Sequence, residues 1–230
     1  MKRFYKDVAV AAEAGGFRVT LDGRGIRTVA GKPQIVPTRA LADALAAEWA
    51  AQGEEIDAAS FLLRDMADYA LDVVAPERAQ AITELLPYGE TDTLCYRAEP
   101  DEALGRRQHA VWEPLLVTAE ERHGVRFVRV AGVMHRPQPE PTLARVREVL
   151  ESLDAFALAA LRNTAGLAAS LMLGLAALEP GADIDALWDA ANLEEDWQAE
   201  LWGKDAEALE RRERRHAAFA AAAHFAALAR

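Results

Sequence analysis

Gly15-Gly16-Phe17-Arg18-Val19-Thr20-Leu21-Asp22-Gly23 is the stretch that decides how the chain folds. Phe17, Val19 and Leu21 alternate with Arg18 and Thr20, the period of two of a strand with one buried face. Glycine pairs bracket the run, and Asp22-Gly23 is a strong hairpin-turn signal because both central positions tolerate positive φ. A further apolar run at 26–29 ends at Ala30-Gly31-Lys32-Pro33, and Gln34 to Val36 comes next. Residues 1–37 therefore predict a small antiparallel β domain, which is too small to be stable alone and has to dock on the remainder of the chain.

Beyond Pro37 the turn signals thin out and alanine dominates. Thr38 suits an N-cap, and Leu41, Leu45 and Trp49 form an i, i+4, i+8 stripe that Gly53 can terminate. Similar patterns predict helices near 61–74, 77–86, 91–98, 101–123, 142–152, 154–178, 183–201 and 205–228. Pro114 falls inside one of these zones and Pro87 directly follows another, and each is expected to kink or break its helix. A short strand is expected at 126–130, and the prolines at 137, 139 and 141 hold an extended linker. The expectation is an α+β protein, with the β domain at 1–37 and a larger all-helical domain at 38–230.

A formal net charge of −11 from 26 basic and 37 acidic residues disfavours nucleic acid and anionic membranes as partners. With 51% hydrophobic and 27% charged residues among 230, the composition is that of an ordinary folded protein. Cys95 stands alone, so an internal disulfide or a multi-thiolate metal site is excluded, which fits a reducing compartment. The start passes from Lys2-Arg3 to Asp7 without an apolar core, so a cytoplasmic protein is expected. The longest uncharged apolar stretch, 163–178, is shorter than the roughly 20 residues that span a bilayer, and reads as a core helix.

Signals of bond-making chemistry are few. Asp22-Gly23-Arg24-Gly25 lacks the third glycine and following helix of a phosphate loop and reads as a hairpin turn. The histidines at 109, 123, 135, 216 and 224 show no ligand spacing, so no metal and no cofactor are expected. Cys95, between Leu94 and Tyr96, reads as a buried inert thiol. Glu90 and Asp92 suit capping of a new helix turn; the enzymatic alternative is a small hydrolase using Glu90, Asp92 and His109. Arg211, Arg212, Arg214 and Arg215 alternate with Glu207, Glu210 and Glu213, which suggests i, i+4 pairs on a solvated face.

The segment 183–202 is more informative. Projected as one helix at about 100° per residue, Ile184, Trp188, Ala191, Ala199 and Trp202 share one side, with Leu193, Trp197 and Leu201 nearly opposite. Such a helix is either sandwiched in the core or exposes an apolar stripe to another protein. Glu195 falls within the Trp188/Trp202 stripe, Glu194 away from it, and a carboxylate among indoles demands a basic partner inside the protein or across an interface.

The whole string resembles a known family. Lys2-Arg3-Phe4-Tyr5-Lys6, Asp22-Gly23-Arg24, Glu48-Trp49, Gln52-Gly53-Glu54-Glu55-Ile56, Glu90-Thr91-Asp92, Leu94-Cys95-Tyr96-Arg97, Trp112, Pro114-Leu115-Leu116, Glu194-Glu195, Trp197-Gln198 and Trp202-Gly203 resemble, in order and spacing, the assembly chaperones that bind the alpha subunit of the ATP synthase catalytic sector. Departures fall at 64–72 and at Pro87 and Gly89. The resemblance implies a β domain followed by a helical domain, a bacterial setting, no catalysis and no small-molecule substrate. It also implies an essential acidic residue near the C-terminal signature: Glu195, with Glu194 and Glu200 as rivals. Glu194, Glu195, Glu200, Trp188 and Trp202 are thus the expected partner-binding residues, and an interaction module for another client is the remaining alternative.

Overall fold

The structure, a computed structural model, describes residues 1–132, 134–203 and 205–230. The alternating run forms β2 (Gly16–Leu21), paired antiparallel with β1 (Val8–Glu13) so that Val19 lies opposite Val10. Asp22 and Gly23 both take positive φ, 48° and 77°, and turn the chain into β3 (Arg24–Gly25), giving the order β1-β2-β3. The run at 26–29 contributes only a bridge, Arg27 to Pro33. Its polar groups are satisfied elsewhere. The Thr28 hydroxyl and Ala30 N–H donate to Asp72, and the Val29 N–H and Gln34 amide donate to Asp68.

The sheet packs on α1 (Arg39–Ala50), whose Leu41, Leu45 and Trp49 are buried as the stripe predicts. The Thr38 hydroxyl accepts from the Leu41 N–H at 3.1 Å and donates to the Leu228 carbonyl. Tyr5, Trp49 and Phe61 form an aromatic ladder with centroids 5.6 and 4.5 Å apart. Phe61 cannot cap α2 (Leu62–Tyr69), so the Glu48 carboxylate does, accepting from the N–H groups of Leu63 and Arg64 at 2.7 and 2.9 Å. A π-helical turn, Ala70–Val74, comes next, then α3 (Arg78–Leu85).

The chain forms two compact units. Met1–Ala81, Asp154–Ala160 and Ala221–Arg230 make the first, Ile82–Leu153 and Leu161–Ala220 the second. The change from strand to helix at Pro37 is internal to the first unit.

In the second unit Pro87 begins α4 (Pro87–Glu90), where its missing N–H costs nothing. The helix expected at 91–98 is instead a 3-10 turn, Thr93–Cys95, and β4 (Tyr96–Arg97). β4 pairs parallel with β5 (Val130–Ala131), which replaces the strand expected at 126–130, so this part of the protein is mostly rather than entirely helical. Pro114 does not interrupt α5 (Ala103–His123): His109, Ala110 and Val111 around the lost hydrogen bond are exposed, leaving the freed carbonyl to water. α6 (Glu140–Ser152) is next.

The helix expected across 154–178 is two, α7 (Ala155–Ala168) and α8 (Leu171–Ala177), divided at Ala169 with φ of 49°. Ser170 caps α8, and its hydroxyl donates to Asp92 at 2.7 Å while the Met172 N–H donates to the other Asp92 oxygen at 2.9 Å. A carboxylate 78 positions away in sequence thus fixes the break. The expected helix across 183–201 is likewise two, α9 (Ile184–Ala191) and α10 (Leu193–Trp202), divided at Asn192, whose amide donates to the Trp188 carbonyl at 2.8 Å. α11 (Ala206–Leu228) ends the fold. No helix among the described residues is long and apolar enough to cross a membrane.

Candidate protein-docking site

The break at Asn192 removes the shared phase on which the Trp188/Glu195/Trp202 stripe rested. Trp188 is 3% exposed, stacked on His216 at 5.6 Å with the tilted Phe219 ring at 5.5 Å, and belongs to the core; Trp202 is 78% exposed. The two tryptophans do not share a face.

α10 buries only Leu193 among the described residues and is held by polar contacts. Glu194 accepts from the buried Gln108 amide at 2.5 Å, and Gln108 in turn accepts from the Ala98 N–H at 2.7 Å. Glu195 is 4.0 Å from Arg215, Asp196 is gripped by Arg212, and Glu200 takes both arms of Arg107 at 2.5 and 2.8 Å. The Arg107 guanidinium also lies 5.6 Å from the Trp197 ring. Its hydrogen bonds to Glu200 raise its pKa further.

Alongside α10 runs an open groove of about 860 Å³ within the second unit. Asp189, Glu195, Asp196, Glu200 and Asp205 face Arg107 and Arg212 across it, so its lining is net acidic. At its mouth the apolar side chains of Val111, Trp202 and Leu209 are exposed, and Leu201 beside Trp202 is 58% exposed. A concave surface with uncovered aliphatic and indole area and a ring of charges can hold a polypeptide; no chemistry of bond cleavage is suggested by it.

Of the residues expected to bind a partner, Glu195, Glu200 and Trp202 line this groove, Glu194 sits on the same helix but bonds to Gln108, and Trp188 lies beneath in the core. Arg107, Arg212, Asp189 and Asp196 are additional members that sequence reasoning missed. For Arg212 the signal was the basic run at 211–215, in which, among the described residues, only Arg214 makes the expected i, i+4 contact, with Glu210 at 2.7 Å; Arg212 and Arg215 reach across to α10. The hydrolase set does not assemble. Asp92 is fully buried, pushed up to about 6 by burial, and its oxygens accept from the Leu94 N–H, Ser170 hydroxyl and Met172 N–H, a capping role; His109 is on the solvent side of α5. Cys95 is buried, and burial raises its thiol well above the usual range.

The model of the family described as ATP12 chaperone protein matches residues 2–120, more than half of the chain. The chain belongs to the ATP12 chaperone family. This is the family of ATP synthase assembly chaperones that the sequence resembles, and its members are chaperones rather than enzymes. The Atp12 crystal structure from Paracoccus denitrificans is 38% identical, with a TM-score of 0.93 over 100% of this chain and 98% of that one. A putative chaperone from Agrobacterium tumefaciens is 42% identical, with the same TM-score of 0.93 over 98% and 85%. Protein atp12, mitochondrial, of Schizosaccharomyces pombe is 26% identical over 214 residues, 88% of this chain and 74% of its own length. The ATP12 fold, a small sheet followed by a mostly helical region, is therefore common to this chain and the solved structures.

Proposed function

We propose that the chain binds the free alpha subunit of the ATP synthase catalytic sector and covers the surface meant for beta until beta joins. The resemblance of the sequence motifs supplies the client. The observation that carries the site is the net-acidic groove along α10 with Trp202 and Leu201 left uncovered at its end. An orphan alpha subunit exposes apolar interface area, and such patches drive self-association. A surface that covers them reversibly suppresses aggregation and yields to beta by mass action, so hydrolysis of a nucleotide is unnecessary.

In this reading Glu195 and Glu200 contact the client or set the positions of Arg215 and Arg107, Glu194 anchors α10 through Gln108, Trp202 is the apolar anchor, and Trp188 supports the site from the core. The bacterial sources of the solved relatives support a bacterial setting, and in this reading the chain works in the cytoplasm. The test is co-purification of the chain with free alpha subunit, together with light scattering of alpha alone and with the chaperone. Capture and reduced scattering are expected, both weakened by Trp202→Ala and Glu200→Gln. A folded wild-type chain that neither captures alpha nor lowers its scattering overturns the function; capture unaffected by both variants overturns the site.

A further inference from the structure

Residues 1–36 carry seven basic and three acidic side chains, a local net of +4 in a chain whose formal net charge is −11. This segment thus opposes the charge of the remainder of the chain. On it, beside the β2–β3 turn, a second cleft of about 530 Å³ opens, separate from the groove along α10. Its floor is made by the buried Tyr5, Leu21, Ile26 and Trp49.

Phe4 forms one wall. It is 63% exposed, yet its ring is set edge-on to Tyr5 at 5.3 Å, and Tyr5 is fixed by its hydroxyl, which donates to the Trp49 carbonyl at 2.6 Å. An aromatic ring uncovered but held in place presents contact area at little cost in lost freedom. Arg24 and Arg27 complete the lining. The Arg24 side chain makes no hydrogen bond or ion pair among the described residues, and that of Arg27 donates to the Gly31 carbonyl at 2.6 Å with no other such bond. Asp22, the lone lining carboxylate among the described residues, already accepts from the N–H groups of Lys6 and Asp7 at 3.0 and 2.8 Å. The neighbouring Arg18 is also committed, its guanidinium donating to the Ile26 carbonyl at 2.6 and 2.8 Å.

We propose that this cleft is a second docking site, taking an acidic segment of a partner protein: a carboxylate on the forks of Arg24 and Arg27, and an adjacent apolar side chain against Phe4. Exposed guanidiniums with donors to spare, all of them on Arg24 and the remainder on Arg27, pair with carboxylates bidentately, and the apolar floor accounts for the neighbouring side chain. A concave cleft of this size fits one or two side chains, whereas a lipid surface or a nucleic-acid backbone needs a broad cationic face and meets repulsion from the acidic remainder of the chain. The proposal goes beyond the alpha-subunit reading and stands whether or not that reading holds.

The test is a titration of the full chain, labelled with nitrogen-15, with the peptide acetyl-DFLE-amide and its uncharged twin acetyl-NFLQ-amide. Saturable shifts confined to the amides of Phe4, Arg24 and Arg27 and the Trp49 indole are expected for the acidic peptide, with affinity at least about tenfold weaker for the twin and for the Arg24→Glu variant. Phe4→Ser is expected to weaken binding with the charges intact. Both sites are exposed, so both variants should fold, which their spectra check directly. Equal affinity for the two peptides, shifts elsewhere on the surface, no saturation up to about 10 mM, or the same shifts at the same concentration of inorganic phosphate or phosphatidylserine vesicles would each overturn it.

Discussion

Replacing Trp202 by alanine removes the largest uncovered apolar side chain at the α10 groove while leaving the fold untouched. A tryptophan presents up to about 250 Å² on burial, and Trp202 is 78% exposed, so roughly 200 Å² is available to a client. At about 25 cal/mol per Å² the ceiling is about 5 kcal/mol. Alanine retains part of that area and the binding surplus is smaller still, so the expected loss is about 2–4 kcal/mol, or roughly 30- to 1000-fold in Kd for free alpha subunit. Calorimetric titration of alpha into the wild type and variant reads the loss. Urea unfolding supplies the control: the variant's stability should lie within about 0.5 kcal/mol of wild type, because the side chain packs on little. Trp188→Ala should behave oppositely and destabilise by about 3–5 kcal/mol, because Trp188 is core. If Trp202→Ala is as stable as wild type and its affinity for alpha changes less than about threefold, the indole is not an anchor and the reasoning fails.

Removing Arg212 leaves Asp196 without its guanidinium, so Arg212→Ala should loosen α10 by about 1–3 kcal/mol, read as faster amide exchange across 193–202 with α5 unchanged. Asp92 has a folded pKa of about 6, above that of an unfolded aspartate. The native state therefore holds the extra proton, and this contribution to stability is complete below about pH 4 and is lost as pH rises through about 6. The unfolding free energy of wild type relative to Asp92→Asn should accordingly be higher at pH 4 than at pH 7 by up to about 3 kcal/mol; a difference independent of pH would show that Asp92 does not titrate in that window. A Cβ at Gly174 would lie 2.8 Å from the Ala165 backbone nitrogen, so Gly174→Ala should force α7 and α8 apart and cost about 1–3 kcal/mol in thermal or urea unfolding.

The parts of the fold legible in the sequence are those whose causes are local. The hairpin arises from alternation and from two residues that accept positive φ, and α1 from a cap and a stripe. The parts that were not legible have their causes far along the chain. Ala169 and Ser170 break a helix because Asp92 accepts from Ser170 and Met172, and the run at 26–29 leaves the sheet where Asp72 takes the Thr28 hydroxyl and Asp68 the Val29 N–H. Asn192 matters most for the site. A break of one residue resets helical phase, so Trp188 and Trp202, which a single helix would put on one face, lie one in the core and the other facing solvent. Glu195, Glu200 and Trp202 nevertheless line one groove, because they lie on the same side of the break. Glu200 is held by Arg107 of α5 and Glu195 faces Arg215 of α11, and for the run at 211–215 sequence spacing alone favours partners on its own helix.

Amide hydrogen exchange of the chaperone with and without free alpha subunit bears most directly on the proposal that α10 and its groove cover the client. Slower exchange at residues 193–203 and at the facing turns of α5 and α11, reversed when beta is added, is the predicted result. Stable binding of alpha with exchange across 193–203 unchanged would contradict it.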